Sequence, residues 1–290
     1  MKINLISNIG EGSTLEDVGN FNRTIAWFIH EALEKQGVDA RLVRDRDLLT
    51  NPPPEADHAI VISNIAMNFV AGTHKAVRGR VPSILSQLRK ATKGKISIYL
   101  DADYPQWFKY FDHVFTVVKP QSKDPKCVYA GWGADPEYCY PDQDEKALFL
   151  DSLMYEFYKG RFNPIYDIYK KVLPSLDIKV YDPWPTYHNS VRLLWTQVQD
   201  ILRKTHFHCC TQLGESGLTR IEAATSGALL VVPRALYKPR TMASLEHKIW
   251  STEEELIKIL TTETDPTNIR KKALAHSWDK VASRILETLA

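Results

Sequence analysis

The sequence predicts an α/β protein built as two doubly wound domains, each a parallel sheet with helices packed on it. Three observations lead there. The chain opens with an apolar strand over residues 2–8, a polar loop, a helix over 23–36 and a second strand over 38–43. That order is the start of a doubly wound sheet. In the helix Ile25, Phe28, Ile29, Ala32 and Leu33 share one face, and Gly37 supplies the C-cap signal. The same order returns late in the chain, over residues 205–233. There a short apolar strand and a Gly-containing loop precede a helix that starts near Gly217 and carries Leu218, Ile221 and Ala224 at helical spacing. The helix stops at Gly227, and the continuous apolar run 228–232, closed by Pro233, reads as a strand covered on both faces. Finally, 290 residues with 44% hydrophobic and 25% charged side chains suffice for two such domains.

Composition narrows the function classes. No apolar run approaches the length of a membrane span. The N-terminal residues lead directly into a strand pattern, which argues against a signal peptide. Cys127, Cys139, Cys209 and Cys210 show no Cys-x-x-Cys spacing, and the adjacent pair suits a buried, reduced strand; a cytoplasmic location is expected. The net charge is only +2, yet residues 58–100 contain no Asp or Glu while carrying Lys75, Arg78, Arg80, Arg89, Lys90, Lys93 and Lys95. This is either a solvated helix surface whose acids lie elsewhere or a face for a polyanionic partner.

Between the two motifs the elements follow in order. Residues 51–54 (Asn-Pro-Pro-Pro) break the chain before a buried strand at 59–63, and 81–91 reads as a helix with Pro82 in its first turn. A strand over 96–100 ends in Asp101-Ala102-Asp103, carboxylates at the strand end that faces the ligand crevice in this architecture. Strands are expected at 113–118, 147–151 and 178–181, and helices within 153–173 and over 192–204. Residues 251–255 read as an N-cap followed by acids, leading 256–260, and 268–289 as one long amphipathic helix. The glycines at 10, 12 and 19 do not form a strict dinucleotide fingerprint. The His206-x-His208-Cys209-Cys210 cluster is too linear on a strand for a tetrahedral metal site, so no metal is expected there.

The loop before Leu218 is a ready anion site, because free backbone N–H groups and the positive end of a helix dipole converge there. Glu222 and Arg220 sit just inside it; a carboxylate can bridge two sugar hydroxyls and a guanidinium can neutralise a diphosphate. With Ala223 and Gly227, Leu218, Ile221 and Glu222 resemble the nucleotide-sugar motif of GT-B glycosyltransferases. The resemblance implies a GT-B fold of two Rossmann-like doubly wound domains with an interdomain cleft, and a ribose-binding role for Glu222. The acid that the family places eight residues earlier falls on Gly214, with Glu215 beside it as the alternative. The family's phosphate-binding Arg falls on Thr219, so Arg220 is displaced by one residue, about 100° round a helix. Lys159 and Arg161 match the position of the diphosphate-binding arginines. Gly131-Trp132-Gly133-Ala134-Asp135-Pro136 is similar to the interdomain hinge. The domains are therefore expected at 1–141 (acceptor binding) and 142–272 (nucleotide-sugar binding), with 273–290 a helix crossing back to the first.

The stretch from Ile62 through Asn68-Phe69-x-x-Gly72, the helix and Lys93-Gly94-Lys95 after it, and the Asp-bearing strand end resemble T-even phage DNA β-glucosyltransferases. Residues 1–3, Thr24-Ile25 and Glu255-Leu256-Ile257 add to the resemblance. It implies UDP-sugar as donor, 5-hydroxymethylcytosine in double-stranded DNA as acceptor, and an infected bacterial host as setting. Asn68, Phe69 and Val70 become the loop that supports a flipped base, with Phe69 or Val70 as the wedge. Lys75, Arg78 and Arg80 become phosphate contacts. The family's catalytic Asp falls on Ala102, which leaves Asp101 or Asp103 as general base of an inverting transfer. Gly217, with Arg220 and Arg161, would stabilise charge on the diphosphate. The scheme requires no metal, although Mg or Mn would assist UDP release, and the protein is expected to be a monomer. The competing expectations are a GT-B enzyme acting on a polysaccharide, protein or small molecule, and a DNA-binding relative without catalysis.

Overall fold

The computed structural model describes residues 1–15, 21–62, 81–100, 109–151, 164–182, 194–211, 218–237 and 244–290. The chain divides into two compact units, Met1–Trp132 with Trp278–Ala290, and Gly133–Ser277. The boundaries expected at 141/142 and 272/273 both lie inside the second unit.

The first unit is built on a parallel sheet of β1 (Lys2–Ser7), β2 (Asp39–Arg44), β3 (His58–Val61), β4 (Ile96–Leu100), β5 (His113–Thr116) and β6 (Cys127–Tyr129). Their order is β2-β1-β3-β4-β5-β6. Ile3, Leu5, Ile60, Ile96, Ile98 and Val114 are all fully buried, as strands covered on both faces require. Helix α1 (Phe21–Lys35) turns Ile25, Phe28, Ile29, Ala32 and Leu33 inward. It ends in a Schellman motif: Gly37 N–H donates to Glu34 O and Val38 N–H to Leu33 O, with Gly37 at φ 78°. Helix α2 (Val81–Ala91) contributes Ile84 and Leu88 to the core under β3 and β4.

In the second unit β7 (Ala147–Asp151), β8 (Lys179–Tyr181), β9 (Phe207–Cys210), β10 (Leu229–Pro233) and β11 (His247–Trp250) form a parallel sheet in the order β11-β10-β9-β7-β8. Among the described residues its helices are α3 (Pro164–Val172), α4 (Trp195–Lys204), α5 (Leu218–Thr225), α6 (Glu253–Thr261) and α7 (Pro266–Ala273). Helix α6 starts with a capping box, Thr252 and Glu255 satisfying each other's backbone N–H, and three acids fill its first turn. Asp265 caps α7, which has Pro266 in its first turn.

The single helix expected over 268–289 is in fact two, α7 and α8 (Trp278–Leu289). Its helical pattern contains no Gly or Pro that would announce a break. The break is tertiary: Ala134 N–H takes the His276 carbonyl and Ser277 bridges to Ala134 in extended conformation. Helix α8 then packs in the first unit, where Trp278 stacks on Phe28 with ring centroids 6.0 Å apart. Arg284 donates to Ala130 O at 2.7 Å and covers the Tyr129 ring, while the buried Tyr99 hydroxyl donates to Gly131 O.

Candidate functional site

Both sheets change direction once. The chain goes from the first strand to an outer neighbour, then returns to the other side of the first strand, so switch points fall between β1 and β3 and between β7 and β9. In open parallel sheets a ligand crevice lies outside the carboxyl ends of the strands at such a point. In the second unit those ends are Asp151 and Cys210, which are register partners. The Thr211 hydroxyl donates to Asp151 O and ties them together.

Beneath this edge lies a buried polar cluster. Asp151 and His208 are 2% and 0% exposed, and His208 Nε2 lies 3.7 Å from Asp151 Oδ2. Burial pushes the His208 pKa down to about 4, and nearby Arg220 works in the same direction against Asp151. The imidazole, stacked on Phe149, is therefore neutral near pH 7. Burial raises the Cys210 thiol to about 11 although Arg220 lies close enough to favour the thiolate. His206 stands at the opposite end of β9, half-buried, its Nδ1 accepting from Ala147 N–H at 3.4 Å. No group of three His, Cys, Asp or Glu among the described residues is arranged to hold a metal ion.

Helix α5 carries the motif residues. Leu218 is buried at its start, and Arg220 and Glu222 are 4% and 3% exposed. Two residues apart, they are about 200° apart round the helix and serve different neighbours. Arg220 lies with Cys210, His208 and Asp151 at the strand ends. Glu222 instead meets α4, where Trp195 Nε1 donates to Glu222 Oε1 at 2.8 Å. Gln199, one turn further along α4, lies near enough to favour the charged carboxyl, although its Nε2 makes no hydrogen bond with the described residues. Its own Oε1 lies 3.2 Å from the thiol of Cys139. Burial lifts the Glu222 pKa to about 7, with the Trp195 N–H and the nearby Gln199 amide pulling the other way. A carboxyl poised near neutrality in such surroundings is a recognised mark of a functional group.

Two contacts fix α5 in place. Gly227, at φ 86°, closes its end with Gly227 N–H to Ala224 O and Ala228 N–H to Ala223 O. Arg270 of α7 donates to Thr225 O at 2.7 Å and to Pro136 O and Cys139 O, a cation on the carbonyl end of the helix.

Among the residues singled out from sequence, Leu218, Arg220 and Glu222 are thus described. Asp101, Asp103, Asn68, Phe69, Val70, Lys75, Arg78, Arg80, Lys159, Arg161, Glu215 and Gly217 lie outside the described residues. Two of the four described cations in the acid-free stretch 58–100 have acidic partners. Arg89 pairs with Asp112 at 3.5 Å and Lys93 with Glu55 at 3.9 Å. These pairs, like Lys95, sit beside the starts of β3, β4 and β5, the sheet edge opposite the strand carboxyl ends. Trp195, Gln199 and Asp151 were not singled out; no local motif marks the first two, and only the position of Asp151 at a strand end signals it.

No family model matches the chain, and no curated protein matches it in sequence. Solved structures do. AviGT4, a glycosyltransferase involved in avilamycin A biosynthesis, aligns at TM-score 0.55 and 12% identity over 99% of this chain and 96% of its own. Anabaena HepE in complex with UDP-glucose aligns at 0.51 and 10%, over 100% and 99%. An α-glucosyltransferase in complex with UDP and a 13-mer DNA containing an HMU base aligns at 0.50 and 12%, over 100% and 95%. At such identities the likeness is one of fold: two parallel α/β sheets with the GT-B fold of glycosyltransferases. No helix among the described residues is long and apolar enough to cross a membrane.

Proposed function

We propose that this chain is a UDP-sugar-dependent glycosyltransferase whose acceptor is the hydroxymethyl group of a modified pyrimidine in double-stranded DNA. The observation that carries the donor half is Glu222, a buried carboxyl near neutrality on the helix that follows the switch-point strand β9. In this reading the second unit holds the nucleotide-sugar, Glu222 meets the ribose, and Arg220, Arg161, Lys159 and the helix start at Gly217 and Leu218 face the diphosphate. Glu215 takes the place of the missing upstream acid.

The DNA half rests on the resemblance of residues 62–103 to the phage enzymes. It is also supported by likeness to a structure whose own ligands are UDP and DNA with an HMU base. Asn68, Phe69 and Val70 extrude the base, Lys75, Arg78 and Arg80 hold phosphates, and Asp101 or Asp103 removes the hydroxymethyl proton as attack begins. Attack opposite the leaving UDP inverts the anomeric centre through an oxocarbenium-like state. The transfer requires no metal; Mg or Mn would assist UDP release.

A second reading, transfer to an acceptor other than DNA such as a small molecule, is supported by the pairing of Arg89 and Lys93 with acids and by the likeness to AviGT4, a glycosyltransferase of avilamycin A biosynthesis. Nucleoside mass spectrometry separates the two. Duplex DNA containing 5-hydroxymethylcytosine or 5-hydroxymethyluracil is incubated with the protein and a panel of UDP-sugars. A hexose or pentose mass on the modified nucleoside is the expected result, and NMR of the product then distinguishes a β from an α linkage. UDP binding without any mass added to DNA would promote the small-molecule reading.

A further inference from the structure

We infer that Trp195 is a positioning residue for Glu222: its indole N–H holds one carboxylate oxygen and so sets the orientation in which the other meets the donor. The inference rests on the nucleotide-sugar reading above. Glu222 is 3% exposed, so its side chain cannot swing out to find a ligand; whatever fixes its orientation does so before binding. Trp195 is itself buried, at 7% exposure, and its ring is braced edge-on by Tyr138 at 5.3 Å. A rigid, two-torsion donor at 2.8 Å therefore fixes the carboxylate on one side.

A carboxylate has two oxygens and about four acceptor sites. Trp195 engages Oε1, and Gln199 lies close but makes no hydrogen bond with the described residues through its Nε2, which leaves Oε2 to accept from a pair of hydroxyls, as a vicinal diol provides. A purely structural role explains less. Burying a carboxyl here works against folding at neutral pH, where Gln in the same place would accept the same hydrogen bond. Among the described residues, the other ionisable group against Glu222 is the Cys139 thiol, which burial keeps protonated; Arg203, Arg270 and Asp135 surround that thiol in turn. None of these donates to Glu222 as Trp195 does.

The test uses Trp195→Phe, which keeps the ring against Tyr138 and removes only the N–H. UDP affinity is measured by calorimetry from pH 6 to 9, and the Glu222 carboxyl is titrated by 13C NMR without UDP, assigned with Glu222→Gln. The variant is expected to bind UDP about tenfold more weakly at pH 7, as loss of a hydrogen bond to a charged group predicts. Part of that loss should be recovered at pH 9, with the Glu222 midpoint displaced upward. Tyr138→Leu, which loosens the ring but leaves the N–H, should raise the midpoint by less than Trp195→Phe does. In the unmodified protein the Trp195 indole N–H resonance should titrate with Glu222 and shift when UDP binds, a readout independent of how any variant folds. Unchanged affinity and midpoint in Trp195→Phe, with UDP binding lost in Glu222→Gln, would overturn the role of Trp195 alone. An indole resonance insensitive to UDP would overturn it equally. Failure of the unmodified protein to bind UDP at any pH would instead refute the nucleotide-sugar reading.

Discussion

Replacing Glu222 by Gln should make the protein more stable at alkaline pH. The folded carboxyl has a pKa of about 7 against an ordinary 4.5, because burial outweighs the Trp195 N–H and the nearby Gln199 amide. The folded state thus holds this proton more tightly than the unfolded chain does. The stability due to Glu222 is full below pH 4.5 and is lost as pH rises through 7. At ~1.4 kcal/mol per unit of pKa, the loss saturates at about 3 kcal/mol by pH 8.5. Gln is neutral throughout and keeps an acceptor for Trp195, but brings an NH2 group into the site. That group adds a pH-independent penalty of about 1 kcal/mol if poorly bonded. The variant should therefore be more stable than wild type by about 2 kcal/mol at pH 8.5 and slightly less stable near pH 5. Urea unfolding of both proteins at the two pH values measures this, and the difference of differences cancels everything constant. A variant-minus-wild-type difference that stays the same at pH 5 and 8.5 would refute the argument, because Glu222 would then carry no displaced titration.

Gly227→Ala should destabilise the second unit. The position has φ 86°, and a Cβ there would lie 2.7 Å from Pro266 Cβ. Left-handed backbone costs a non-glycine about 1–2 kcal/mol and the overlap about 1–3 more, so Tm should fall by about 5–15 °C in a thermal melt. A fall under about 2 °C would mean that α7 shifts freely away from the turn. His208 should produce the opposite pH signature to Glu222. Its folded pKa of about 4 is depressed from 6.5, so its contribution is full above pH 6.5 and is lost as pH falls through 4. The window is worth about 3 kcal/mol. His208→Phe, stacked on Phe149, should flatten the acid limb of Tm against pH relative to wild type. An unchanged limb would place the acid sensitivity elsewhere.

What was legible in the sequence is what depends on near neighbours along the chain. The α1 stripe and its Gly37 cap follow from spacing alone, as do the Leu218–Glu222–Gly227 helix and the apolar run of β10. The contacts that give Glu222 its chemistry were hidden, because Trp195 lies 27 residues away and reaches it only through the packing of α4 on α5. The pairing of two cations of the acid-free stretch was hidden for the same reason. Arg89 and Lys93 find Asp112 and Glu55 across the starts of neighbouring strands, so a run without acids fixes no field until the sheet order is known. The break between α7 and α8 is likewise imposed by the Ala134–His276 bond rather than by any helix breaker. Strand order also separates the two ends of the first sheet chemically. The paired cations occupy the edge where strands begin, whereas ligands of such sheets approach the edge where they end. On the scheme proposed here, DNA contacts are expected from Lys75, Arg78 and Arg80 rather than from Arg89 or Lys93. Charge reversal at Lys93, already offset by Glu55 and remote from that edge, should leave DNA affinity unchanged to within about twofold, while reversal at Arg78 should weaken it and lower its salt dependence.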